Sequence, residues 1–336
     1  MKAVPGQTGI NIIPKISPLF IDKISIMMGI AEQHMKQTSD NCGTLATNSE
    51  ATIHKNNPLY KNAVSIQLQD QIGNDSPLLI QWEPRLPTDP TTAKIPTIKY
   101  LRLEWNPAKL SADIIKSVLN LNNILPEGFD SLVKKGTITR VDLTVDIKHI
   151  NPGKLLFYYP GIQCSRNYLK SGKIQTAYLG TKQSEKMFVI YDKKAQLIKK
   201  NGKLLNKYPV PKTDLTRVEL QLRPEEQMSF KKLLTMKNPF AALELTASKK
   251  PTPGKKAKYV ASSDEYRLFQ RVCIWEGVNQ SLYFFSGTEK KKLYKQQIMS
   301  EGLNTFWNPD LVWQGLPAAL EMTGFEIGKI ATASSK

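Results

Sequence analysis

The sequence predicts an α+β fold: a mainly antiparallel sheet with helices packed on one face, followed by a smaller helical region. Three observations predict it. Segments that alternate apolar and polar residues recur as far as Arg223, the period of half-buried strands. Between two of them, Asn106-Pro107 precedes an apolar stripe, Leu110, Ile114, Ile115, Val118 and Leu119, at helical spacing. Beyond a lysine- and proline-rich stretch at 249–258 the spacing becomes helical throughout. With 336 residues, 40% of them hydrophobic, the chain is long enough for one large core or two ordinary domains.

Taken in order, residues 1–18 carry three prolines and two glycines and read as a loose lead-in. Leu19–Ile30 reads as the first strand. Polar residues 31–61 predict a short helix or loop. Val64, Ile66 and Leu68 alternate with Ser65 and Gln67, and Leu78–Trp82 is a second apolar run after the turn residues Gly73-Asn74-Asp75-Ser76. Tyr100–Trp105 is a strand with Arg102 and Glu104 on its polar face. Ile138–Ile147 is another, with Arg140, Asp142, Thr144 and Asp146 on one face and Val141, Leu143, Val145 and Ile147 on the other. Residues 150–172 read as a connector with an aromatic cluster.

Lys173–Gly180 and the apolar run Met187–Ile190 predict a hairpin, whose second strand ends on Tyr191. The next stretch is strongly basic: Lys182 to Lys212 holds nine lysines against Glu185 and Asp192. Leu215–Arg223 alternates cleanly, with Arg217, Glu219, Gln221 and Arg223 on its polar face. Glu225 to about Leu245 reads as helix broken near Pro239. The expected organisation is a lead-in at 1–18, a main domain at 19–245, a linker at 246–262 and a helical region at 263–330 with helices starting near Ser263, Thr288 and Asn308-Pro309.

Composition narrows the function. Forty-seven lysines and arginines against 29 acidic residues give a formal charge of +18, which calls for a polyanionic partner. Cys42, Cys164 and Cys273 are far apart, so neither a zinc motif nor a disulfide framework is indicated. No secretory leader and no membrane-spanning run is read, and no basic amphipathic helix carries exposed aromatics. The expectation is a cytoplasmic protein of a bacterial cell without a membrane partner.

Three strands each place an arginine and an acid two residues apart on a polar face: Arg102/Glu104, Arg140/Asp142 and Arg217/Glu219. Such pairs serve as salt bridges. Clustered with Asp146, the carboxylates are also hard oxygen ligands suited to Mg2+ or Mn2+, and the arginines suit phosphate. Asp142 and Asp146 lie roughly 13 Å apart on a regular strand, too far to share one ion without a bend. Tyr191, at a strand end beside Lys193 and Lys194, is placed to offer its hydroxyl to a phosphodiester.

Residues 140–146, Arg-Val-Asp-Leu-Thr-Val-Asp, then 178–194, ending Phe-Val-Ile-Tyr-Asp-Lys-Lys, then 216–223, Thr-Arg-Val-Glu-Leu-Gln-Leu-Arg, together resemble the replication initiation factor family. These are rolling-circle initiators of plasmids and filamentous phages. Residues 20–25 and 101–107 resemble upstream strands of the phage members, while the region after about 250 shows no such likeness. The resemblance implies a nicking and closing enzyme that forms a 5′-phosphotyrosine on Tyr191, with Tyr178 in reserve. It implies Asp142 and Glu219 as leading metal ligands, Asp146 or Glu104 as a third, and Lys193 and Arg217 beside the nucleophile. Lys186, Lys194, Arg140, Arg223, Lys255 and Lys256 are the expected DNA contacts. Expected partners are origin DNA, single-stranded or supercoiled, with a host helicase, a single-strand binding protein and a homodimer left open. His34, His54 and His149 stand alone, so the initiator class whose metal sits on a His-hydrophobic-His pair is excluded. The competing reading is a non-catalytic DNA-binding replication or copy-control protein.

Overall fold

The computed structural model describes residues 14–328 except 49–50, 55–56, 86–98, 163–164, 171–172, 248–263, 285–286, 302–305 and 327. The lysine cluster Lys249, Lys250, Lys255, Lys256 and Lys258 therefore lies outside the described residues.

The first half of the chain runs β1 (Lys15–Ile16), β2 (Phe20–Ile30), α1 (Glu32–Asn48), β3 (Ala51–Ile53), β4 (Tyr60–Gln69), β5 (Asp75–Pro84), β6 (Lys99–Trp105), α2 (Ala112–Leu121), α3 (Asp130–Lys135) and β7 (Thr137–Lys148). It continues with β8 (Leu155–Tyr158), β9 (Ser165–Lys170), β10 (Lys173–Leu179), β11 (Lys186–Asp192), α4 (Lys193–Asn201), β12 (Leu215–Leu222), α5 (Phe230–Thr235) and β13 (Glu244–Ala247). Helices α6 (Asp264–Ser281), α7 (Thr288–Glu301), α8 (Pro309–Trp313) and α9 (Leu316–Glu321) follow.

Antiparallel pairing orders the large sheet β3-β4-β5-β6-β2-β7-β12-β11-β10-β9, with β1 added along β7. β13 and β8 form a separate pair. The centre of the sheet is β2, β7 and β12, which is where the alternation of the sequence is cleanest. Ile24, Ile26, Val141, Leu143, Val145, Val218 and Leu220 all turn to one face and are fully or almost fully buried. Residues of α1, α2, α3, α5 and α9 close over them in one core. The opposite face carries the charged residues.

Four local expectations change. Residues 31–61 hold a long helix, α1, and an edge strand rather than a short helix. Asn106 opens a turn, and the helix proper starts later, where the Ser111 hydroxyl accepts the Ile114 N–H. The connector at 150–172 contains β8 and the edge strand β9. The helix expected over 225–245 is only α5 and a 3-10 turn at Pro239–Ala242, because Glu244–Ala247 pairs with β8.

The C-terminal residues divide between two cores. Tyr266, Phe269 and Cys273 of α6 join Tyr294 and Ile298 of α7 in a small cluster with Leu156, whereas Leu268 is exposed. Val312, Leu316, Leu320 and Phe325 pack into the main core instead. Among the described residues no helix is long and apolar enough to cross a membrane.

Candidate active site

Register places the polar residues in rows that cross the strands. One row runs Tyr168, Thr176, Tyr191, Arg217, Asp146 over β9, β10, β11, β12 and β7. The next runs Tyr178, Val189, Glu219, Thr144, Phe20 over β10, β11, β12, β7 and β2. A third brings Gln221, Asp142 and Lys23 together. Residues directly opposite on antiparallel strands share a face, so Tyr191, Arg217, Glu219 and Asp142 face the same side.

The Tyr-Asp-Lys step at 191–193 is a strand end, a helix cap and a first helical turn. Apolar Met187–Ile190 anchors β11. The Asp192 carboxylate then accepts the Ala195 N–H at 2.8 Å and caps α4. This cap leaves Lys193 beside the nucleophile candidate, its Nζ 5.9 Å from the centre of the Tyr191 ring. α4 lies over the polar face. Between helix and sheet is a cleft of about 360 Å3 lined by Thr176, Tyr178, Tyr191, Lys199, Glu219 and Gln221, among others.

Two of the three Arg/acid pairs close within their own strand. Arg140 donates twice to Asp142, at 2.8 and 2.7 Å, and Arg102 Nη2 meets Glu104 at 2.7 Å. Glu104 also takes Lys23 Nζ at 2.9 Å. The third pair does not form. Arg217 turns across the strands and donates to both oxygens of Asp146, at 2.7 and 2.9 Å, with Asp22 at 3.4 Å. Its guanidinium lies 4.9 Å from the centre of the Phe20 ring. Glu219 is left without an ion pair among the described residues and accepts only the Gln221 amide, at 2.6 Å.

These partners set the titration of the site. Burial, then the neighbouring Asp142 carboxylate, pushes Glu219 up to about 7. Burial raises Asp142 as well, against the pull of Arg140. Burial works to raise Glu104, but Lys23 and the two arginines around it hold it below its ordinary value. Burial and then the Arg217 charge lower Lys193 to about 8. The Tyr191 phenol is pushed well up by burial, and Arg217 is the chief opposing influence.

Among the described residues no three His, Cys, Asp or Glu side chains gather closely enough to hold a metal ion as a cage. Glu104, Asp146 and Asp142 are each committed to cations of their own, Asp142 through both Arg140 bonds, and of the four expected ligands Glu219 alone is without an ion pair among the described residues. Asp142 adjoins Glu219 and raises its proton affinity, so a cation held by this pair would share Asp142 with Arg140. Mg2+ is commonly held by one or two carboxylates together with substrate phosphate and water.

Of the expected DNA contacts, Arg140 sits on β7, Arg223 directly follows β12, Lys186 on β11 lies opposite the core residue Leu222 rather than on the row of Tyr191, and Lys194 on α4 donates to the Lys212 carbonyl at 2.7 Å. Arg223 donates to Gln221 through Nη2, while its Nη1 is buried without a hydrogen-bond partner among the described residues. Sequence reading missed Asp22 and Gln221 at this face. Asp22 falls at a register shift in β2, between Ile21 and Lys23, which strict alternation does not reveal. Gln221 was visible on the polar face of its strand but carried no charge to draw notice.

Residues 150–278 match a family model. The family is that of the replication initiation factor. The matched stretch contains Tyr191, Lys193, Arg217 and Glu219, and starts just past Asp146. It supports the likeness read from the sequence, and the function class of replication initiation factors is initiation of replication at origin DNA. No curated protein matches the chain.

Proposed function

We propose that this chain nicks and rejoins one strand of origin DNA through a 5′-phosphotyrosine on Tyr191. The observation that carries the reading is the row Tyr191–Arg217–Asp146, whose Tyr191 lines the cleft, with Lys193 beside it. Asp146 fixes the plane of the Arg217 guanidinium, whose charge favours the phenolate over the phenol. Lys193, in large part neutral at slightly alkaline pH, accepts the phenol proton as Tyr191 Oη attacks. The new bond joins Tyr191 Oη to phosphorus as the bond to the 3′ oxygen breaks, and the proton taken up by Lys193 passes to that oxygen and leaves a 3′ hydroxyl. Attack by a 3′ hydroxyl reverses the step and rejoins the strand. Asp142 and Glu219 would hold a divalent cation, Mg2+ or Mn2+, whose chemistry there would be polarisation of the phosphoryl oxygen.

The test is incubation with supercoiled and single-stranded origin DNA plus Mg2+ or Mn2+, followed by peptide mapping of covalent adducts. The expected label is on the peptide carrying Tyr191, and Tyr191→Phe is expected to bind DNA without forming an adduct. A label on Tyr178, or an active Tyr191→Phe protein, overturns the assignment. DNA binding with no adduct under any condition makes the chain a non-catalytic DNA-binding replication or copy-control protein.

A further inference from the structure

After α4 the chain does not return directly to the sheet. Residues 202–214 cross the polar side toward the β4–β5 turn, some 135 residues earlier in sequence. Asn201 and Tyr208 exchange two hydrogen bonds, at 2.7 and 2.9 Å, which folds the segment back on its helix. Asn206 then donates its N–H to Asn74 Oδ1 at 3.0 Å and its amide to the Gly73 carbonyl at 3.2 Å. The Tyr208 hydroxyl donates to Asp70, whose carboxylate also accepts the N–H groups of Ile72 and Asn74.

This crossing brings two lysines from distant elements onto one ring. Lys109 Nζ lies 5.1 Å and Lys200 Nζ 4.8 Å from the centre of Tyr208. The nearest carboxylate oxygen to Lys109 is on Asp70 at 4.0 Å, and Asp70 already accepts three hydrogen bonds. Lys193 is seven residues before Lys200 on the same helix. It therefore shares that helix face about 10 Å away, next to Tyr191. A line of lysine side chains thus leads from the nucleophile to the β4–β5 turn. Burial and Lys200 lower Lys109 to about 8, as burial and Arg217 lower Lys193. Cations crowded in this way are relieved by an anion.

We propose that Lys200 and Lys109 form a phosphate track that holds the backbone of the DNA strand on one side of Tyr191, gripping a phosphate beyond the scissile one. The track rests on the reading that Tyr191 faces nucleic acid. The Tyr208–Asp70 bond is its brace, since it fixes the crossing segment against the far end of the sheet.

The experiment uses the full chain carrying Tyr191→Phe and a labelled single-stranded oligonucleotide, with affinity measured across a salt series. Lys109→Gln with Lys200→Gln is expected to weaken binding. It should also lower the slope of log affinity against log salt by about 0.7 for each single-strand phosphate that is no longer neutralised. Lys109→Arg with Lys200→Arg, which keeps the charge, is expected to restore both. Thermal melting of each variant separates loss of charge from loss of fold. Unchanged affinity, or weakened affinity at an unchanged slope, overturns the track while adduct formation by the wild type leaves the nicking reading standing. A chain that binds no oligonucleotide at any salt concentration overturns both.

Discussion

Tyr191 on β11 lies directly across from Arg217 on β12, and Arg217 turns its guanidinium onto Asp146 of β7 rather than onto Glu219 two residues along its own strand. The choice separates two kinds of acid on one sheet face. Asp146 is a holder of the cation, and Glu219 is left to titrate. Asp146→Asn removes the counterion from an arginine only 7% exposed. Breaking a buried pair by removing one partner costs several kcal/mol. Asp22 stays at 3.4 Å and compensates in part, so a loss of about 2–3 kcal/mol in denaturant unfolding is expected. Arg217→Lys keeps the charge but not the fork. It should melt near the wild type and nick far more slowly, because a single ammonium cannot meet both Asp146 oxygens and the phenol.

Glu219 gives the fold a pH dependence of definite sign. Its folded carboxyl holds a proton to about pH 7, whereas the unfolded one releases it near the ordinary value of 4.5. The folded state binds the additional proton between those limits, so the stability it contributes falls as pH rises through that window. Glu219→Gln removes the burial cost of the charge. The variant is expected to match the wild type at about pH 4 and to exceed it by about 3 kcal/mol at about pH 8. Denaturant midpoints at the two pH values measure this. A variant that is less stable at the higher pH would show that Glu219 is charged and well solvated there.

The sheet was legible because its strands are half-buried: Val141, Leu143 and Val145 announce a buried face, and Arg140, Asp142 and Asp146 the other. Pairs that close within a strand were legible for the same reason, since residues two apart share a face. The Arg217–Asp146 pair was not, because it depends on register between strands separated by 71 residues. The Tyr208–Asp70 contact was further out of reach, since its two ends sit in loops 138 residues apart and loops carry no period. Glu244–Ala247 does not announce itself as a strand, because four residues that pair only with β8 are too few to show alternation.

Phe325 ties the end of the described chain to the sheet that carries the site. Its ring centre is 4.5 Å from Phe230 and 5.4 Å from Phe129, and it is 1% exposed. Phe325→Ala should cost roughly 3–5 kcal/mol in the same unfolding transition as the main core. The adjacent Gly324 has φ +88°, and a Cβ there would stand 2.3 Å from the Ala112 Cβ. Gly324→Ala should therefore destabilise through both strain and clash, by about 1–3 kcal/mol. If Phe325→Ala instead produced a separate early transition and left the remainder at the wild-type midpoint, residues 306–325 would be an independent unit.

The carboxylate pair can be read directly by cation binding, without any DNA. A ligand that binds the folded state alone raises its stability by about 2.7 kcal/mol at a hundred times its dissociation constant. At about pH 8 the Asp142 and Glu219 carboxylates repel each other, and a divalent cation between them removes that repulsion. Mg2+ or Mn2+ is therefore expected to raise the melting temperature of the wild type, and a chelator to reverse the rise. Sodium chloride at equal ionic strength should do neither, because screening acts weakly on buried groups. Below about pH 6 the effect should fade, as Glu219 takes up a proton in place of the cation. Glu219→Gln and Asp142→Asn should each lose the response. Glu104→Gln should keep it, since Glu104 is held by Lys23 and Arg102. A response that survives in Glu219→Gln would move the cation elsewhere and leave Glu219 as a proton carrier beside Tyr191.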